Sequence, residues 1–269
     1  MHTIQKGNYD QKVSVGGNDE LTLLANEFND LTERLQTSEE KRRRFVSDAS
    51  HELKTPLASI KLLTDSILQN DMDAETMREF VEDIGSEAER LNRMTAKLLS
   101  LTRVDSLDAP ESELIRMAPT IRQVAKMLGP VAEKSGVGLE LRLEEDPTVL
   151  ITRDDLYQIV FNLIENGIKY NRPGGHVTVT LNKTMDLAKL TVTDTGMGIP
   201  QEALDHIFER FYRVDKDRSR QTGGSGLGLA IVRAIVQRNR GEIRVDSQLG
   251  QGTSFFVTFP IFDTEVDAT

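Results

Sequence analysis

The sequence predicts two regions of different class, a long helical hairpin followed by a two-layer α/β sandwich. Three observations carry that division. Over roughly the first 105 positions, apolar residues recur every three or four, the period of a helix. Farther on, five short runs alternate apolar and polar residues and are separated by helical stretches. Between the regions lies DSLDAPESE, residues 105–113, polar and broken by a proline as a linker is.

In the first region Leu21, Leu24, Phe28, Leu31 and Leu35 form a coiled-coil seam, with Asn18 or Asp19 placed to cap its start. The pattern blurs through the charged residues 39–44. It resumes at Val46, Ala49, Leu53, Leu57, Ile60 and Ile67. QNDMDAE, residues 69–75, interrupts it. A second stripe follows at Met77, Val81, Ile84, Ala88, Leu91, Thr95 and Leu98. Two long amphipathic helices joined by a short turn make an antiparallel hairpin. One hairpin cannot cover its own apolar stripe, whereas two can as a four-helix bundle, so a homodimer is expected. In the second region helices are expected at 119–134, 154–170 and 227–237. Strands are expected in GVGLELRL, HVTVTL, AKLTVTD, EIRVDS and TSFFVTF, paired in a mixed or mostly antiparallel sheet.

Composition narrows the function. The chain has 269 residues, with 43 acidic and 33 basic side chains and a formal charge of −10, which argues against nucleic-acid binding. Absence of cysteine removes disulfides, thiol catalysis and cysteine-ligated zinc. No apolar run reaches about 18 residues, and the first ten lack the apolar centre of a signal peptide. The basic run Lys41, Arg42, Arg43 and Arg44 follows Glu39 and Glu40 and reads as a solvated helix face.

Four segments have the residue types for chemistry. In FVSDASHELKTPL (45–57), His51 and Glu52 are adjacent and Thr55 lies one turn on. An exposed imidazole is a nucleophile at neutral pH, and a neighbouring carboxylate can take its proton. Pro56 removes a helical N–H, so a kink is expected there. In NLIENGIKYN (162–171), Asn162, Asn166, Lys169 and Tyr170 share one side of a helix, where an amide oxygen can meet Mg²⁺ and an ammonium a phosphate. In DTGMGI (194–199), a carboxylate at a strand end precedes two glycines and can accept from an exocyclic amine such as that of adenine. In GGSGLGLAIV (223–232), glycines lead straight into an apolar helix start, an arrangement that binds anions, although no Walker lysine follows. Taken singly, an ordinary exposed histidine, a polar helix face and a strand-ending turn remain adequate readings of the first three.

The order of the segments is more specific than any one of them. FVSDASHELKTPL, NLIENGIKYN, DTGMGIP, IFERFYRVD, GGSGLGLAIV and GQGT resemble the sequence boxes of a sensor histidine kinase of two-component signalling, across residues 18–260. GNYDQKVSVGGNDELTLLANEFNDL resembles the second half of a HAMP relay, with Thr22 where that relay often has glycine. The resemblance implies a division into a partial HAMP and signalling helix (1–40), a dimerisation and histidine phosphotransfer domain (41–106), a linker (107–113), a gyrase/Hsp90-type ATP-binding domain (114–262) and a tail (263–269).

It implies roles as well. His51 is the expected phosphoacceptor, Glu52 its acid/base partner, and Thr55 the residue that helps place water for dephosphorylating the partner. Asn166 is the expected Mg²⁺ ligand, with Asn162, Lys169 and Tyr170 also at the nucleotide. Asp194 is expected to read adenine from a loop containing Gly196 and Gly198. Phe208 and Phe211 would anchor a lid over ATP (208–222), from which Arg213 reaches phosphate. Gly224, Gly226, Leu227 and Gly228 form the phosphate-side box. The expected activity is ATP-dependent autophosphorylation of His51, transfer to an aspartate of a cognate response regulator docking near residues 59–63, and phosphatase activity toward that regulator. The expected setting is the cytoplasmic region of a membrane-anchored sensor. Two rivals were weighed. A clamp ATPase of the same fold typically has Glu and Asp where this chain has Asn162 and Lys169, so the base that would activate water is missing. A degenerate scaffold would have lost ligand positions that are filled here.

Overall fold

The computed structural model describes residues 13, 20–104, 112–214 and 224–262. The expected cap at Asn18 or Asp19, most of the partial relay's first 19 residues, most of the linker, the lid segment 215–223 and the tail lie outside the described residues. The chain divides into two compact units, Met1–Ala88 and Glu89–Thr269.

Helix α1 runs from Glu20–Gln69 and α2 from Ala74–Val104, so the expected hairpin is present, with its turn where QNDMDAE interrupts the pattern. Asp73 starts α2: its carboxylate accepts from the Thr76 N–H at 2.7 Å, and that bond holds its pKa below the usual carboxylate range. Helix α1 continues as one element through Pro56. The seam residues Leu21, Leu24 and Leu31 are 61%, 67% and 56% exposed, and Val46, Leu57, Met77 and Val81 are exposed as well. Within one chain these stripe residues therefore lack cover, while Leu53, Ile60, Ile67, Ile84, Leu91 and Leu98 are half-buried. No helix among the described residues is long and apolar enough to cross a membrane.

The second unit contains β1 (Glu113–Arg116), α3 (Met117–Lys134), β2 (Gly138–Leu143), β3 (Thr148–Ile151), α4 (Arg153–Lys169), β4 (His176–Thr184), β5 (Leu187–Asp194), α5 (Gly228–Arg238), β6 (Glu242–Gln248) and β7 (Gly252–Pro260). A mixed sheet has the order β2-β4-β5-β7-β6, in which β2 and β4 are parallel and the other pairs antiparallel. Alternation aims one set of side chains inward. Val179 faces Val192, which faces Phe255, and Leu181 faces Leu190, which faces Val257; all six are buried. Helices α3, α4 and α5 cover that face with Ile121, Val124, Ile159, Leu163, Ile231 and Ile235, each fully buried. Every such side chain contributes about 1.5–3 kcal/mol of transfer free energy. The other face holds Thr178, Thr180, Thr191, Thr193 and Thr258, which are only half-buried.

Two strands were not foreseen. β1 and β3 pair antiparallel as a separate ribbon, joined to the end of the chain by a bridge from Val149 to Ile261. At four residues each they are too short for alternation to register, and β1 starts inside the stretch expected to be linker.

Candidate functional site

Helix α4 sets one wall of a cavity of about 360 Å³ in the second unit. Thr152 caps the helix by accepting from the Asp155 N–H at 3.1 Å. The apolar face of α4 packs on the sheet, which turns Asn162, Asn166, Lys169 and Tyr170 toward the cavity, as their spacing requires. Asn162 is almost fully buried, and its Nδ2 donates to the Gln158 carbonyl at 2.7 Å. Its Oδ1 faces Gly228, where a Cβ would stand only 2.8 Å away.

Asp194 ends β5 on the floor. Burial pushes its carboxyl pKa up, and backbone N–H groups of Gly196 and Thr253 partly offset this. The Gly196 N–H reaches Oδ1 at 2.8 Å. The loop that follows is stitched down. Met197 N–H donates to the Tyr170 carbonyl at 3.1 Å, and Ile199 N–H to the Ser247 hydroxyl at 2.8 Å. Gly198 has φ +68°, and a Cβ there would lie 2.0 Å from the Gln248 carbonyl oxygen.

The glycine loop closes the cavity. Leu227 is fully buried and anchors the loop at the start of α5. A Cβ on Gly224 would stand 2.9 Å from the Lys169 Nζ, so this backbone lies directly against the ammonium. Phe211 (φ +63°) and Gly226 (φ +65°) both take the left-handed region, and the Phe211 N–H donates to the Gly226 carbonyl at 2.9 Å. The Ser225 hydroxyl lines the cavity, buried and without a hydrogen-bond partner among the described residues.

Lys169 is the most perturbed group. Burial lowers its pKa to about 8; Glu165 opposes the shift, and Lys97 and Arg213 add to it. Its Nζ lies 5.2 Å from the Tyr170 ring centre, and burial pushes the Tyr170 phenol up.

The cavity thus unites Asn162, Asn166, Lys169, Tyr170, Asp194, Gly198, Arg213, Gly224, Gly226 and Gly228. Gly196, Phe208, Phe211 and Leu227 are not among its lining residues. Phe208 packs edge-on against Phe255 at 6.5 Å and under the Arg233 guanidinium at 5.7 Å. Lys97, Met197, Ile207, Leu249, Thr253 and Phe255 also line it. Of these, Met197 lies in DTGMGIP, Ile207 in IFERFYRVD and Thr253 in GQGT. Lys97 had no local signal.

The first unit presents the other candidate group. His51 is exposed on α1 beside half-buried Glu52, and the Thr55 hydroxyl donates to the His51 carbonyl at 3.3 Å.

Among the described residues no three His, Asp or Glu side chains gather as a metal cage. Mg²⁺ does not need one, since it keeps several waters and is held by one or two protein oxygens plus substrate phosphates. Asn166, which lines the cavity beside Glu165, carries an amide oxygen that fits that habit.

Comparison with known proteins matches three family models. They are a histidine kinase-, DNA gyrase B- and HSP90-like ATPase over residues 151–263, a His kinase A phospho-acceptor domain over 41–107, and a HAMP domain over 1–37. The chain is 37% identical over 226 residues to the sensor-like histidine kinase SenX3 of Mycobacterium tuberculosis, covering 81% of this chain and 54% of the relative. It is 33% identical over 268 residues to the histidine-protein kinase ArlS of Staphylococcus epidermidis, covering 98% and 58%. The structure of full-length ShkA in complex with AMPPNP aligns with a TM-score of 0.60 at 27% identity, covering 81% of this chain and 46% of that one. Histidine kinase AdeS of Acinetobacter baumannii shares the fold, with a TM-score of 0.64 at 23% identity, covering 79% and 98%. The chain spans about half the length of the curated relatives it matches.

Proposed function

Because the chain belongs to the sensor histidine kinases, with HAMP, phospho-acceptor and ATPase regions in that order, we propose that it uses ATP to phosphorylate His51 and passes the phosphoryl group to a response-regulator aspartate. The observation that carries this reading is the cavity itself, where a polar helix face, a buried carboxylate and a glycine loop converge on one space. Asp194 accepts from the adenine amine. Lys169, Arg213 and the backbone of the glycine loop meet the phosphates, and the buried Ser225 hydroxyl gains an acceptor. Asn166 would hold Mg²⁺, which would supply charge neutralisation at the phosphates.

Phosphoryl transfer needs positioning and charge stabilisation more than covalent chemistry from the protein. An imidazole nitrogen of His51 forms the N–P bond as the bond from the γ-phosphorus to the bridging oxygen breaks. ADP departs, and Glu52 takes the ring proton. A regulator carboxylate then attacks the same phosphorus and frees the histidine. Thr55 places water for a separate reaction, hydrolysis of the phosphorylated regulator, in which water attacks the phosphorus, the aspartate carboxylate leaves and inorganic phosphate is released. The exposed stripes on α1 and α2 are the faces of a homodimeric four-helix bundle, and residues 59–63 are the regulator's docking face. The domain limits given above and a membrane-anchored, cytoplasm-facing setting belong to the same proposal.

Incubation with γ-labelled ATP tests it. His51→Gln is expected to lose all acid-labile label while binding a fluorescent ATP analogue as the wild type does. Acid-labile label retained in that variant would falsify the assignment.

A further inference from the structure

We propose that Lys97, on the second helix of the hairpin, binds nucleotide phosphate in the cavity, so that α2 as well as the sandwich grips the triphosphate. The inference rests on the reading of the cavity as an ATP site and adds to it a residue from outside the family boxes.

Lys97 is held in place by its neighbours on α2. Met94 is 4% exposed and Leu101 is 1% exposed, one turn to either side. The Ser100 hydroxyl donates to the Gln158 amide oxygen at 2.9 Å, and the Gln158 amide nitrogen to the Ser100 hydroxyl at 2.7 Å. Gln158 lies on α4, one turn before Asn162, so this part of α2 is fastened against the helix that supplies most of the cavity's polar wall. Both helices here belong to the same compact unit. The Lys97 side chain then lines the cavity.

Its present partner holds it loosely. The Lys97 Nζ lies 3.6 Å from a Glu165 oxygen, beyond hydrogen-bond length. Lys97 and Arg213 both act on Lys169 as nearby positive charges. Among the described residues that line the cavity, Lys97, Lys169 and Arg213 carry positive charge and Glu165 and Asp194 are the carboxylates, with Asp194 engaged on the floor by Gly196 and Thr253. Positive charges facing one another across a partly desolvated space repel, and a polyphosphate is the ligand that relieves them. Exchanging a 3.6 Å contact for a phosphate oxygen at hydrogen-bond distance sacrifices little.

The test is displacement of trinitrophenyl-ATP by ATP, ADP or AMP, with Mg²⁺, from the wild type and from Lys97→Met, Lys97→Arg and Glu165→Gln. Lys97→Met is expected to weaken ATP about ten-fold while AMP stays within about two-fold, because only the outer phosphates lose a partner. Lys97→Arg keeps most of the ATP affinity, and Glu165→Gln keeps all of it or gains. Unchanged ATP affinity in Lys97→Met overturns the proposal. So does equal weakening of ATP and AMP, or a loss in Glu165→Gln matching that in Lys97→Met, since a mere staple between the helices behaves that way. A wild type that ATP does not compete for would overturn the ATP reading and this proposal together, which separates the two failures.

Discussion

The Lys169 ammonium makes nucleotide affinity depend on pH, with a sign and size that follow from its surroundings. Burial first, then the charges of Lys97 and Arg213, bring its pKa in the free protein from 10.5 to about 8, while Glu165 pulls the other way. A bound phosphate favours the charged form, so the pKa rises on binding. Between those two values binding must take up a proton, and affinity falls as pH rises through 8. If the bound value returns to 10.5, the linkage gives a ten-fold loss of affinity between about pH 7 and pH 9, or about 1.4 kcal/mol. Solvent around this partly exposed side chain lowers that to roughly three- to ten-fold. Tyr170 stays silent in the window, because burial moves its phenol above 10. The assay is the fluorescence Kd of trinitrophenyl-ATP from pH 7 to 9.5 at constant ionic strength, for wild type and Lys169→Arg. The guanidinium does not titrate there, so the variant's profile is expected to be flat, and it controls for titration of the ligand. A flat wild-type profile, or parallel decline in both proteins, refutes the reasoning. The same depressed pKa disfavours the folded state below pH 8, and that cost fades as pH approaches the unfolded value.

Other perturbations probe the frame of the site. Gly198→Ala forces a side chain into a left-handed residue 2.0 Å from the Gln248 carbonyl. It should cost at least about 2 kcal/mol and lower Tm by roughly 4–8 °C; calorimetry showing no change would contradict the loop geometry. Arg238→Met leaves the Asp155 carboxylate, among the described residues, with only a long 3.4 Å bond from the Asn239 amide, since the Arg238 and Asp155 side chains are 19% and 11% exposed and pair across α5 and α4. A loss of about 2–4 kcal/mol is expected in urea unfolding, with partial recovery in Asp155→Asn/Arg238→Met. A single-variant loss under about 0.5 kcal/mol would show the pair to be inert.

Much of the fold was legible where elements are long. The 3.6-residue stripes marked α1, α2, α4 and α5, and alternation marked β2, β4, β5, β6 and β7, because a core takes up one face of an element over many residues. β1 and β3 escaped, since their pairing with each other decides their state and four residues carry no period. In the cavity, Asn162, Asn166, Lys169, Tyr170, Asp194 and Arg213 were named from their boxes, whereas Met197, Ile207, Ser225 and Thr253 lie inside boxes without having been singled out. Phe255 was hidden as a strand residue among strand residues, and Lys97 as one charge on a charged helix.

By itself the sequence determined the class of both regions, the turn at Asp73 and the candidate groups proposed to bind a nucleotide and accept a phosphoryl group. These depend on local period, backbone permission and residue chemistry, all of which are written along the chain. Tertiary structure decided which of those groups share a space. It set Gly224 against Lys169, packed Phe208 on Phe255 outside the cavity lining, lowered the Lys169 pKa to about 8, and brought Lys97 to the cavity from 72 residues before Lys169. Desolvation and the meeting of distant charges are properties of packing, and they arise only when helices and sheet close around one another.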